Sequence, residues 1–261
     1  MRKTASFLLI AFVALAAVSV AEADRQISET REIAPDGTVS IELIAGTVRF
    51  IGWSRAEVEV TGTIGDDVDE VEIDASRRGV EIEVHLVEGR RHIRDGHARL
   101  EIHVPVGSQI EAETVSADIE IEGIEGAVEI ESVSGDVEIN SPVREAEVAT
   151  VSGTVRVTSS SPLEGGSFET VSGKVVYEAP IYDGRFSFSA VSGDLILRLP
   201  SDSSVEFEME TFSGDIENDF GPRARKTSEY LPAKTLEFSM GSGDARVSVE
   251  SFSGTIKLSE R

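Results

Sequence analysis

The octapeptide "TVSGTVRV" at 150–157 returns as "SVSGDVEI" at 132–139, "TVSGKVVY" at 170–177 and "AVSGDLIL" at 190–197. A near-constant period constrains a fold more than composition does. Each copy must take the same local structure and bury the same face. Aligned on the serine, the copies are Ser116, Ser134, Ser152, Ser172, Ser192, Ser213, Ser242 and Ser253, at steps of 18, 18, 20, 20, 21, 29 and 11 residues. The last two steps add up to two average periods, so the Ser242 copy is expected to be displaced within its pair.

Each copy reads as strand, corner, strand. In "EAEVATVSGTVRV", 145–157, Val148, Val151, Val155 and Val157 are expected to face inward, and Glu145, Glu147 and Arg156 outward. The glycine after the serine permits a positive φ or a tight backbone; Ala117 takes its place in the first copy. A unit this short cannot bury its own apolar face, but a stack of units can. The reading is an all-β fold, a right-handed parallel β-helix (β-solenoid) with rungs of about 20 residues. An antiparallel sandwich or barrel also shows many short strands, but identical corners at a fixed period favour the solenoid.

Residues 1–23 read as a signal peptide. Arg2 and Lys3 precede the apolar run Phe7 to Val18, and Ala21-Glu22-Ala23 places small residues where a signal peptidase reads, so cleavage is expected after Ala23. The run is short for a membrane anchor, which needs about 20 residues. Residues 24–261 are expected to form a single β-solenoid domain: a less regular N-terminal part or cap over 24–110, regular Ser-Gly repeats over 111–261, and a basic insertion at 221–235. That insertion, "GPRARKTSEYLPAKT", is read as a loop folded onto its own acidic face or as a partner-binding arm. Two longer segments echo each other, "LEIHVPVGSQIEAETVSADIEI" (100–121) and "LILRLPSDSSVEFEMETFSGDIEN" (195–218), which puts Pro105 and Pro200 at matching bends.

The chain has no cysteine, so neither disulfides nor thiol chemistry support it. After cleavage it carries 22 Lys and Arg against 47 Asp and Glu, a net charge of −25. That charge opposes nucleic acid binding and direct binding to an anionic membrane. An exported protein, periplasmic or secreted, is expected.

The leader, the repeated "VSGD" corners, the "VP" turn before the first of them and the ending "GSGDARVSVESFSGTIKL" together resemble a bacterial β-solenoid family labelled "putative adhesin", a domain of unknown function. The resemblance covers roughly residues 30–261. It implies a right-handed parallel β-helix, often exported or envelope-associated, and no established activity.

Chemistry is sparse. Eight equivalent serines argue against one nucleophile with its own base, and their expected task is to bond corner backbone groups. Two residues after each serine stand Asp118, Asp136, Thr154, Lys174, Asp194, Asp215, Asp244 and Thr255. This broken column suits the capping of local amides better than a calcium site. The four histidines lie between 85 and 103. If "VEIEVHL" and "LEIHVPV" form a hairpin centred near Arg94, His85 faces His103 and His92 faces His97. His85 and His103 are then the candidate metal ligands, although the spacing fits no zinc motif and Arg90, Arg91 and Arg94 oppose a cation. No metal or cofactor is expected. The reading is a non-catalytic, exported module for cell-envelope interaction, adhesion or scaffolding. It would bind an unknown protein, cationic peptide or glycan through a repetitive acidic surface. The alternative is a carbohydrate-active β-helix protein, which needs a local, non-repeating acid cluster in a groove.

Overall fold

Apolar residues alternate with Glu, Ser and Thr through most of the chain, a period that suits extended backbone with one buried face. The computed structural model describes residues 25–87 and 98–261, and these form nineteen strands in one hydrogen-bonded sheet. The N-terminal part holds β1 (Arg25–Glu32), β2 (Thr38–Trp53), β3 (Glu57–Ile64), β4 (Val68–Ala75), β5 (Gly79–Leu86) and β6 (Ala98–Pro105). The regular repeats give β7 (Gln109–Glu122), β8 (Ala127–Ser134), β9 (Val137–Asn140), β10 (Glu145–Thr158), β11 (Gly165–Glu178), β12 (Arg185–Ala190) and β13 (Asp194–Leu199). The remainder holds β14 (Val205–Thr211), β15 (Asp215–Asn218), β16 (Arg225–Lys226), β17 (Lys234–Met240), β18 (Ala245–Ser251) and β19 (Thr255–Glu260).

The fold is all-β and solenoid-like. Ala127, Glu145, Gly165 and Arg185 pair in one parallel column across β8, β10, β11 and β12, so matching positions of successive copies lie on one another. Each level has two strand faces on either side of a corner. In β2, β7, β10 and β11 one continuous strand covers both faces; at other levels two strands, such as β8 and β9 or β12 and β13, divide them. The return segments close each level with an apolar plug: Ile124, Val143, Leu163 and Ile181 are all buried.

Levels do not stack in chain order at either end. Among the described residues the order is β5/β6, β2, β7, β8/β9, β10, β11, β12/β13, β18/β19, β14/β15. The chain therefore steps over a level twice, from β6 to β7 across β2 and from β13 to β14 across β18/β19. These two steps are the echoed segments with Pro105 and Pro200. Both prolines open the same turn: Ser108 N donates to Pro105 O at 2.9 Å and Ser203 N to Pro200 O at 3.1 Å, with both serines buried. The vacated levels are filled by β2 and by β18/β19.

Antiparallel strands cover both ends, where open parallel edges invite pairing with another chain. At the N-terminal end β4 lies on β5, β3 on β6 and β1 on β3. At the other end β17 lies on β14 and β16 on β17. The basic segment 221–235 thus contributes β16 and the start of β17, and Lys234 pairs with Asp215.

The core is mostly aliphatic, with Phe50 and Phe207 buried towards its two ends and Phe168, Tyr177, Phe186 and Phe188 meeting at its middle. Phe168 and Phe188 stack at 5.0 Å between centroids, and Tyr177 meets Phe188 edge-on at 5.5 Å. The Tyr177 hydroxyl is buried with no hydrogen-bond partner among the described residues, and burial raises its pKa far above the ordinary tyrosine value. As pH rises past about 10, the unfolded chain releases this proton and the folded chain keeps it. Stability then falls by about 1.4 kcal/mol per pH unit. Tyr177→Phe is expected to remove that slope and to add about 1 kcal/mol at pH 8, by removing an unpaired buried hydroxyl. Urea unfolding at pH 8 and pH 11 reads both effects. A variant less stable than the parent at pH 8 would show that the hydroxyl is bonded after all.

Candidate functional site

At the corner two neighbouring levels approach too closely for a side chain. A Cβ on Gly153, whose φ is +120°, would stand 2.1 Å from the Gly135 carbonyl oxygen. The bend interrupts the regular ladder, and side chains take up the freed backbone groups. Ser134 Oγ donates to Val115 O at 3.0 Å and Ser152 Oγ to Val133 O at 3.3 Å. Asp118 accepts from Asp136 N at 2.9 Å, Asp136 from Thr154 N at 2.7 Å and Asp194 from Thr255 N at 3.0 Å. Inside the bend runs a column that sequence reading missed, Thr114, Ser132, Thr150, Thr170, Thr211 and Ser251, all buried. Thr150 Oγ1 donates to Ser152 O at 3.0 Å.

Ser116, Ser134, Ser152, Ser172, Ser192, Ser253 and Ser213 stand in the corner column, in that spatial order, with Ala45 opposite Ser116 extending it. Ser242 does not belong to the column. It sits in the Gly241–Gly243 turn, where both glycines have positive φ and the chain passes from one side of β14 to the other. There Ser204 Oγ lies 2.7 Å from Ser242 Oγ and donates to Asp244 at 2.9 Å; with a second donor in Ser242, these bonds hold the Asp244 carboxyl below the usual range.

Val151 also departs from expectation. It is 45% exposed, whereas Val148, Val155 and Val157 are buried as anticipated. Alternation continues as far as Val151 and shifts by one across Ser152, Gly153 and Thr154, so Thr150 takes the inner position and Val151 the outer one before Val155 turns inward. The same holds at eight of the nine levels, and Ile44, Val115, Val133, Val151, Val171, Val191, Phe252 and Phe212 form an exposed apolar ladder. Phe212 and Phe252 stack at 4.9 Å. This ladder is the floor of a groove of about 990 Å³ lined by residues from all nine levels.

Two residues before each rung of the ladder runs a second column: Glu42, Glu113, Glu131, Ala149, Glu169, Ser189, Glu250 and Glu210. None of its six glutamates takes part in an ion pair among the described residues. Several acids on the other face are matched. Arg49 holds Glu120 and Glu122, and Glu178 takes both Arg156 and Arg198. Carboxylates stacked in register repel, so the groove carries an uncompensated line of negative charge beside apolar surface.

The expected histidine hairpin does not form. β5 and β6 pair with different halves of β2, in parallel, as consecutive faces of one level. His85 therefore lies opposite Glu70 of β4, and His103 opposite Glu59 of β3. His92 and His97 lie outside the described residues. His103 is tilted against Trp53 at 5.1 Å, while His85 Nε2 lies 3.5 Å from Glu72 and 3.3 Å from Glu83. Glu72, Glu83 and His85 offer donors of a kind that divalent transition metals accept, but all three side chains are well exposed to solvent. His85 lines the same groove at its end, two residues beyond Glu83, which pairs with Glu42.

The profile of one protein family, Toastrack DUF4097, matches residues 18–259. The chain belongs to the Toastrack DUF4097 family. A search of curated proteins finds no match. Solved structures similar to this Toastrack chain include a "putative adhesin" from Bacteroides fragilis, at 12% identity and TM-score 0.46, covering 91% of this chain and 98% of that one. A "putative cell adhesion protein" from Clostridium sporogenes matches at 9% identity and TM-score 0.36, covering 91% and 100%. A "putative lipid binding protein" from Parabacteroides distasonis matches at 11% identity and TM-score 0.32, covering 89% and 96%.

Proposed function

We propose that this Toastrack protein is an exported, non-catalytic interaction module of the cell envelope that binds cationic partners through its repetitive acidic groove. The observation that carries the reading is the row of glutamates without ion-pair partners beside an exposed apolar ladder. A module that presents the same weak contact at every level gains affinity by repetition. The corner hydroxyls seen to bond neighbouring carbonyls are engaged in the scaffold, which supports a binding role over catalysis. The reading includes cleavage after Ala23, a periplasmic or secreted location, and a right-handed coil. Parallel pairing of Ala127, Glu145, Gly165 and Arg185, at steps of 18 to 20 residues, supports a rung of about that size.

The test uses residues 24–261 and a synthetic lysine oligomer as probe. Binding is expected at low salt and should weaken about tenfold between about 20 and 200 mM NaCl, as the Debye length shortens to about 7 Å and the exposed charges are screened. Glu113→Gln with Glu131→Gln should weaken it further. Binding that ignores both salt and these substitutions would overturn the reading.

A further inference from the structure

We infer that the groove receives a basic amphipathic α-helix of about four turns, lying along the stack and across the strands. This rests on the acidic-groove reading above and specifies the shape of the partner. The first reason is spacing. Levels repeat at about 4.8 Å along the groove, set by the distance between hydrogen-bonded strands. A helix lying in it presents one apolar ridge per turn at about 5.4 Å, so the mismatch is about 0.6 Å per turn. Four turns then stay within half a level. An extended peptide repeats its same-side groups at about 6.8 Å and loses register after one pair.

The second reason is charge. Glu113 and Glu131 flank the knobs Ile44, Val115, Val133 and Val151 on one side only, and take part in no ion pair among the described residues. A helix with an apolar stripe and lysine or arginine along one border meets both rows at once. Other occupants fit less well. A second copy would bring carboxylate against carboxylate at a net charge of −24. Glycan recognition relies on aromatic platforms, and the ladder has aromatic members only at one end. Anionic lipid headgroups meet the same glutamates.

The probe is a labelled peptide of about 14 Leu and Lys residues patterned for a four-turn helix, compared with the same composition in scrambled order and with the lysine oligomer. The patterned peptide is expected to bind at least tenfold tighter than either control and to gain helical circular dichroism when bound. Val133→Ser with Val151→Ser should remove that advantage and leave lysine-oligomer binding unchanged. Both valines are about half exposed, so the variant should keep its melting temperature; Val115→Ser with Val171→Ser provides a second pair. Equal binding of patterned and scrambled peptides, or an affinity unmoved by both valine pairs, would overturn the helical partner while the acidic groove stands. Failure of every peptide to bind at low salt would overturn both.

Discussion

Gly153→Ala is expected to lower the unfolding free energy by about 3 kcal/mol or more, while Gly221→Ala leaves it within about 0.5 kcal/mol. Two costs meet at position 153. Its φ of +120° is one that a side chain disfavours, and the added carbon would stand 2.1 Å from the Gly135 carbonyl oxygen. That oxygen is backbone, locked in the next level, so relief requires moving two levels apart. Gly173 lies on the other side with its own Cβ site 2.3 Å from the Gly153 oxygen, so the displaced corner has little room in either direction. Gly221 has nothing within 4 Å. Urea unfolding of the two variants beside the parent gives the comparison. Equal stability of all three would mean that the corner spacing is looser than described.

Deleting residues 245–261 is expected to do more than remove the last level. β18 and β19 lie between β12/β13 and β14/β15, so their loss opens a gap inside the stack. Val247, Val249, Ile256 and Leu258 are almost wholly buried there, each contributing about 2 kcal/mol. That sum is comparable with the whole stability of many domains. The strands from β14 to β17 would lose their seat, and β12/β13 would face water. Limited proteolysis should cut within 201–240 in the truncated protein and not in the parent. A synthetic 245–261 peptide supplied separately should restore protection. A truncated protein that melts cooperatively at the parental temperature, without new cleavage, would contradict the observed order of levels.

The corner period carried much of the fold in the sequence because each "VSG" must meet its copy above and below. The pairings of Val155 with Val137 and Val175 follow directly from it. Val151 was placed inward because parity does shift within the corner, but the shift falls after it, across Ser152, Gly153 and Thr154. The order of levels was less legible, since a parallel ladder is made by backbone groups that are the same in every residue. "AVSGDLIL" accepts "SFSGTIKL" as readily as "TFSGDIEN". The Ser242 copy misled for a related reason: two glycines around a serine serve a reversing turn as well as a corner. The prolines at 142, 162 and 180, each followed by Val, Leu or Ile, were a readable signal for the apolar plugs. The groove itself was hidden because its acids and its valines belong to alternating positions that look like ordinary surface in any single copy.

Because the chain returns its last two strands to an interior level, a longer version of this protein cannot arise by stacking units after β19. A unit appended after Arg261 would have no free face to stack on, since β14/β15 already occupies it. The region from β7 to β13 is the part laid down strictly in sequence. Gene duplication, or a designer, can lengthen the molecule there, and every unit inserted would lengthen the groove by one valine and one acid position.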